Sequence, residues 1–205
     1  MKKIDKSEPS LFTDFIKKEK PKIWADFNIG YDTRSYMLCD EQNFQCAYTE
    51  IAIEPENTSS HIDHFRKKGM FPKQCFEWQN LLTACNNEKY GAKYKDKNIK
   101  EEDYKLLIQP AIENPKSFFI YSFIGDIIPL SKDEQSNSYK KAKTSIDLFN
   151  LNHKSLKEQR KTVYKQVEAM YTFLTLKQLK EVIGRFDSFI EYVYYTLKQI
   201  DAQKK

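Results

Sequence analysis

Residues 61–89 carry, in order, His61-Ile62-Asp63-His64-Phe65, Trp78-Gln79-Asn80-Leu81-Leu82 and Cys85-Asn86-Asn87-Glu88-Lys89. Two imidazoles, a carboxylate and two asparagine-bearing elements this close together are not filler, and any fold for the chain must gather them. Local patterning suggests how. Cys46 to Ile53 alternates and branches like a strand, Glu54-Pro55-Glu56-Asn57 turns the chain, and Ser60 to Phe65 reads as a second extended arm. A loop through Gly69, Pro72 and Cys75 follows, and Trp78 to about Lys93 has the composition of a helix that brings an asparagine back to the hairpin. The expected unit is strand, strand, helix. Alternation along the second arm places His61 and Asp63 on one face.

The flanks read as mostly helical. Leu11, Phe12, Phe15 and Ile16 share a face in a first helix that Ser7 or Ser10 caps and Pro21 stops, and Thr33 to Asn43 forms a second. Beyond the site, Glu101 to Ile112 is helical, and Ser117 to Phe123 pairs with Ile127 to Leu130 across Gly125-Asp126. Helices then span Ser138 to Phe149, Asn152 to Phe173 and Thr175 to Gln199, with Asn152 and Thr175 as caps. The fold class is α+β, in one domain's length of 205 residues. Three segments are expected: a helical 1–44, a core over 45–98 that carries the candidate site, and a hairpin with helices over 99–205.

With 34 basic against 29 acidic residues, the net charge of +5 suits a polyanionic partner without requiring one. Most lysine clusters read as solvated helix faces; Lys93, Lys95, Lys97 and Lys100 stand apart because they follow the candidate site directly. No run of eighteen apolar residues occurs and the start lacks a signal peptide's apolar stretch, so the chain reads as cytoplasmic, with no membrane partner. Cys39, Cys46, Cys75 and Cys85 form no CxxC pair and read as reduced thiols.

Phosphodiester cleavage needs an activated water and positive charge on the phosphate. Asp63 and an asparagine carbonyl are hard oxygen ligands suited to Mg2+, which keeps several waters and needs few protein ligands. His64 titrates near neutrality and suits a general base, while Lys89 suits a phosphate or a departing oxygen.

Asp63-His64, then Asn80, then Asn86-Asn87-Glu88-Lys89 resembles the HNH endonucleases with their ββα-metal core. More narrowly, His61 to Phe65, Phe71-Pro72, Trp78 to Cys85 and Ala142 to Asn152 resemble the PtuB subunit of the Septu anti-phage systems, including retron-associated versions. The resemblance implies that Asp63 and Asn86 ligate the metal, Mg2+ or Mn2+, that His64 is the base and that Asn80 shapes the turn presenting the helix. Asn87 is the substitute ligand if the alignment slips by one. His61 has no fixed family role; it either assists with metal or phosphate or sits behind the ligands.

Many family members hold a structural Zn2+ with CxxC pairs. Here the first pair is Cys46-Ala47-Tyr48-Thr49 and the second is broken, so a structural zinc, which needs four ligands, is not expected. Cys85 aligns either with the family's last cysteine, after a three-residue shortening that keeps Asn86 and Lys89, or with the one before it, which leaves Glu88 at the second sulfur position. The resemblance further implies a nucleic-acid substrate, DNA or an RNA such as transfer RNA, an ATPase partner, and a retron reverse transcriptase with its DNA as further members. The first helix is the expected docking element. The competing expectation is a decayed subunit that binds nucleic acid, or scaffolds the same complex, without cutting.

Overall fold

A computed structural model describes residues 1–204 and shows an α+β chain with two small sheets. Helix α1 (Ser10–Glu19) begins behind Pro9, whose fixed φ suits a helix start, and ends at Lys20 in the left-handed region. Helix α2 (Gly30–Tyr36) runs on into a π-helical turn, Met37–Gln42. Phe12 of α1 is buried against Met37, Trp78 and Leu81, with Ile16, Trp24 and Phe27 packed around them, while Leu11 on the same helix stays exposed.

Strands β1 (Ser60–His64) and β2 (Leu81–Cys85) form the first sheet, antiparallel, with Asp63 opposite Leu82 and His61 opposite Ala84. This pairing corrects two expectations. Cys46 to Ile53 is not a strand: Glu50 takes a positive φ of 58°, the segment turns on itself, and its only ladder contact is the isolated bridge Gln45 to Ala52. Nor is Trp78 to Lys93 a helix. Trp78–Asn80 is one 3-10 turn, and all five residues of β2 are buried, because the strand is covered on both faces. A strand buried on both sides loses its alternation, and a short apolar run then cannot be told from a helix by pattern.

Helix α3 (Ala92–Asn98) follows β2 and completes a strand, strand, helix sequence in which the helix starts fourteen residues later than expected. The β1–β2 sheet separates two apolar clusters. Leu82 and Ala84 belong to the main core, whereas Leu81 and Ile62 pack with Phe12 and Trp78. The residues opposite them divide the same way, so His61 and Asp63 face the main core and His64 faces the smaller cluster.

Of the expected helix over Glu101 to Ile112, only a 3-10 stretch, Glu101–Leu106, forms. The second hairpin is present as β3 (Phe119–Tyr121) and β4 (Ile127–Pro129). At its tip Gly125 has φ +86°, and a Cβ there would meet the Lys157 carbonyl at 2.5 Å, so only glycine fits. Arg160, buried beneath, donates to the Gly125 and Leu151 carbonyls at 2.6 and 2.8 Å and ties the hairpin to the helices.

Those helices are α4 (Asn137–Leu148), α5 (Lys154–Met170), α6 (Leu176–Ile183) and α7 (Asp187–Gln203). Thr175 caps α6 with Gln178 in a reciprocal box, as the sequence suggests, but α5 is capped by His153 rather than Asn152. The single helix expected over 175–199 breaks at Gly184 and Phe186, both left-handed. Its apolar stripe still supplies the core through Leu179, Phe189, Ile190 and Val193. Phe149, at the end of α4, stacks on Tyr48 with ring centroids 4.3 Å apart and so joins the helical half to the site.

Candidate active site

Asp63 sits in the middle of the strand, strand, helix unit and is 3% exposed. Its Oδ2 accepts the Lys95 ammonium from α3 at 3.0 Å and the Tyr48 hydroxyl from the 46–53 turn. Burial pushes the Asp63 carboxyl up, but the Lys95 charge and the Tyr48 bond outweigh it and hold the group below the usual carboxylate range. The same contacts act in reverse on the partners. Burial and the adjacent carboxylate drive the Tyr48 phenol well above its ordinary value, and the Asp63 and Asp96 charges raise Lys95 despite its burial.

His61 lies two residues back on the same face. Its Nδ1 is buried with no hydrogen-bond partner. Burial lowers the His61 pKa, opposed by the Asp63 charge and by a hydrogen bond with the Asn86 side chain. Asn86 follows β2 directly; its backbone N–H reaches the Ser59 carbonyl at 2.9 Å, and its Nδ2 donates to the Asn57 and Ser60 carbonyls. With the amide nitrogen committed to carbonyls, Oδ1 is the atom Asn86 turns to His61, and its second lone pair is what it can offer a ligand. The structure therefore places Asn86 beside His61, with Asp63 two residues on along the same face of β1.

That donor set, an orphaned imidazole nitrogen, a carboxylate and an amide oxygen, fits a hard divalent cation that keeps most of its waters. Among the described residues no three His, Cys, Asp or Glu side chains come together as ligands.

His64 is placed apart from this trio. Its ring meets Trp24 edge-on at 4.4 Å, and its Nε2 lies 3.0 Å from the Cys75 carbonyl. A carbonyl can only accept, so Nε2 carries the proton and Nδ1 keeps the lone pair. Burial lowers the His64 pKa, against the pull of Asp63 and the Cys75 carbonyl, which keeps the ring neutral at pH 7. A neutral imidazole with a fixed tautomer can accept a proton.

Asn80 braces the loop that supplies the Cys75 carbonyl. Its Oδ1 accepts from the Arg66 N–H at 2.7 Å, and its Nδ2 donates to the Arg66 and Gln74 carbonyls at 3.1 and 3.0 Å. Lys89 is exposed, with its backbone N–H on the Asn87 side chain at 2.8 Å; Asn87 is thereby engaged in a local turn away from Asp63's bonds. Cys46 and Cys85 pack together, the Cys85 N–H pointing at Cys46 Sγ at 3.3 Å, with Thr49 Oγ1 4.0 Å from Cys85 Sγ. Glu88 is elsewhere, paired with Lys93 and Lys97 on the surface.

Sequence reasoning missed Tyr48 and Lys95, the two side chains that bond Asp63. Tyr48 lay inside the segment read as a strand, and Lys95 was one member of a basic cluster. The available signal was position alone, since that cluster follows the site directly.

No family model matches the chain. The chain is 28% identical over 160 residues to an Escherichia coli protein named "Retron Ec83 putative HNH endonuclease", an alignment that covers 63% of this chain and 62% of that protein. The likeness supports an endonuclease of HNH type from a retron system as the kind of protein this chain is similar to.

Proposed function

We propose that the chain is a metal-dependent HNH endonuclease that hydrolyses phosphodiester bonds of nucleic acid, DNA or an RNA such as transfer RNA. The observation that carries the reading is the Cys75 carbonyl on His64 Nε2 at 3.0 Å, which leaves Nδ1 as a free base. The carboxylate next to it in sequence, Asp63, shares its face with His61, and Asn86 lies beside His61. In this reading His61, Asp63 and Asn86 would hold Mg2+ or Mn2+, which supplies positive charge to the phosphate as negative charge builds in the transition state. His64, on the other face of β1, offers Nδ1 as the nitrogen that would take a proton from water. Exposed Lys89 meets the polyanionic backbone.

We further propose a place in a defence complex of the Septu and PtuB kind, in which an ATPase subunit controls the nuclease and a retron reverse transcriptase and its DNA take part; the name of the E. coli relative supports the retron association alone. The chain spans under two thirds of that relative, so the whole relative's activity comes here as part of the proposal.

A second reading has its own observation. Asp63 is almost wholly buried and already paired with Lys95, as expected of a subunit that binds nucleic acid without cutting. Turnover decides between them. Wild-type protein and a His64→Ala variant are incubated, in the partner complex, with plasmid and with RNA across a Mg2+ and Mn2+ series. A general base contributes roughly 10²- to 10⁴-fold, so the variant should lose at least that lower factor. Equal cleavage by both proteins refutes the catalytic role, and tight binding with no turnover under any metal favours the second reading.

A further inference from the structure

The Lys95 ammonium is wholly buried, and four oxygens surround it: Asp63 Oδ2 at 3.0 Å, the His64 carbonyl at 3.1 Å, the Phe65 carbonyl at 3.0 Å and Asp96 Oδ1 at 3.2 Å. The rings of Tyr48 and Phe65 lie 5.7 and 5.8 Å from the same nitrogen. Two carboxylate and two carbonyl oxygens are the donor chemistry of a hard divalent cation, at separations that suit an ammonium and exceed the 2.0–2.6 Å typical of Mg2+ and Ca2+. Asp96 Oδ1 is buried and makes no hydrogen bond. Its carboxyl is pushed up by burial and by the Asp63 charge, with only partial relief from Lys95. One ammonium thus stands between the buried Asp63 carboxylate and the half-buried Asp96 carboxylate.

We infer that Lys95 is a resident cation: it fills an oxygen cage that would otherwise take a divalent metal, and any metal brought to Asp63 binds against its charge. The inference deepens the metal reading of Asp63 and names what regulates occupancy there. Removing the lysine charge leaves two carboxylates and two carbonyls converging on an apolar methionine tail, an arrangement that is stable only with another cation present. In the wild type, by contrast, a dication shares the Asp63 carboxylate with a fixed positive charge a few ångströms away, where water screens little.

The test uses the full chain and manganese as the probe. Free Mn2+ is followed by electron paramagnetic resonance during titration of wild type, Lys95→Met and Asp63→Asn/Lys95→Met, and thermal unfolding is recorded with and without Mn2+. Lys95→Met should bind Mn2+ at least tenfold more tightly than wild type, melt below it in chelator, and recover on adding Mn2+; the double variant should lose the gain. A Lys95→Met chain that is unfolded without metal must still be refolded by Mn2+, because a ligand of the folded state pulls the equilibrium towards it. Binding no tighter than wild type, or no recovery with Mn2+, overturns the inference. Because nothing here reads cleavage, the outcomes separate: tight binding without nuclease activity refutes only the nuclease, and wild-type cleavage with no gain in Lys95→Met refutes only the resident cation.

Discussion

Asp63→Ala should destabilise the protein by about 3–5 kcal/mol, the range for breaking a buried ion pair by removing one partner. The magnitude follows from what the change leaves behind. Lys95 is fully buried and Asp63 is 3% exposed, so solvent cannot replace the lost carboxylate. The Tyr48 hydroxyl loses its acceptor as well. Against a total of roughly 5–15 kcal/mol for an ordinary domain, the loss is a large fraction of what holds the fold.

Urea unfolding followed by the fluorescence of Trp24 and Trp78, which lie on the other side of the β1–β2 sheet, measures it directly. The pH dependence provides a sign check. The folded Asp63 pKa lies below its ordinary 3.8, so its contribution is complete above that value and is lost as pH falls through the folded one. Lys95, raised above 10.5, contributes fully below that value and loses its share as pH rises through the folded one. Asp63→Ala should therefore flatten part of the acid limb of stability. Asp63→Ala/Lys95→Met should recover part of the loss, with a coupling within the 0.5–3 kcal/mol range seen for contacting residues. A loss under about 1 kcal/mol in Asp63→Ala, with no coupling to Lys95, would refute the buried-pair reasoning.

Two further outcomes follow from the geometry. Asn80→Ala removes three hydrogen bonds from the 66–74 loop and should cost about 3 kcal/mol in urea unfolding, at ~1 each; cleavage should fall further than stability because the loop's end holds His64. With its pKa lowered by burial, His64 should stay a free base to below pH 6.5, so kcat/KM in the partner complex should begin to fall only under that pH, a limb absent from His64→Ala.

Much of the site could be read from the sequence because strand alternation is a short-range rule. His61 and Asp63 share a face, and the chain does follow them with a second strand and a helix. The placement of those elements could not be read in the same way. β2 is buried on both sides, so its five residues carry no period. The turn through Glu50 mimics a strand because Tyr48, Thr49, Ile51 and Ile53 are strand formers held in a knuckle by a left-handed residue no propensity rule anticipates. Among the C-terminal helices, the break at Gly184 and Phe186 was hidden by an apolar stripe that continues at helical spacing on both sides of it.

The residues that were missed share a physical cause. Tyr48 and Lys95 act on Asp63 from 15 and 32 positions away, and nothing local in either segment calls for a buried polar group. The cluster of Lys93, Lys95, Lys97 and Lys100 stands apart in the sequence only by following the site, and nothing in it singles out Lys95, the wholly buried one, which reaches from α3 back to β1. The consequence reaches the function. A carboxylate whose charge is neutralised from inside the fold is held rigid and ionised before any ligand arrives, and removing it tests the scaffold and the chemistry together. His64 is different: its ring is held by one hydrogen bond, to the Cys75 carbonyl, lies edge-on to Trp24 and has the Cys75 thiol 3.7 Å from Nε2, with no ion pair to break. Loss of cleavage in His64→Ala without loss of stability would therefore isolate the base, while the same loss in Asp63→Ala would not isolate the metal ligand.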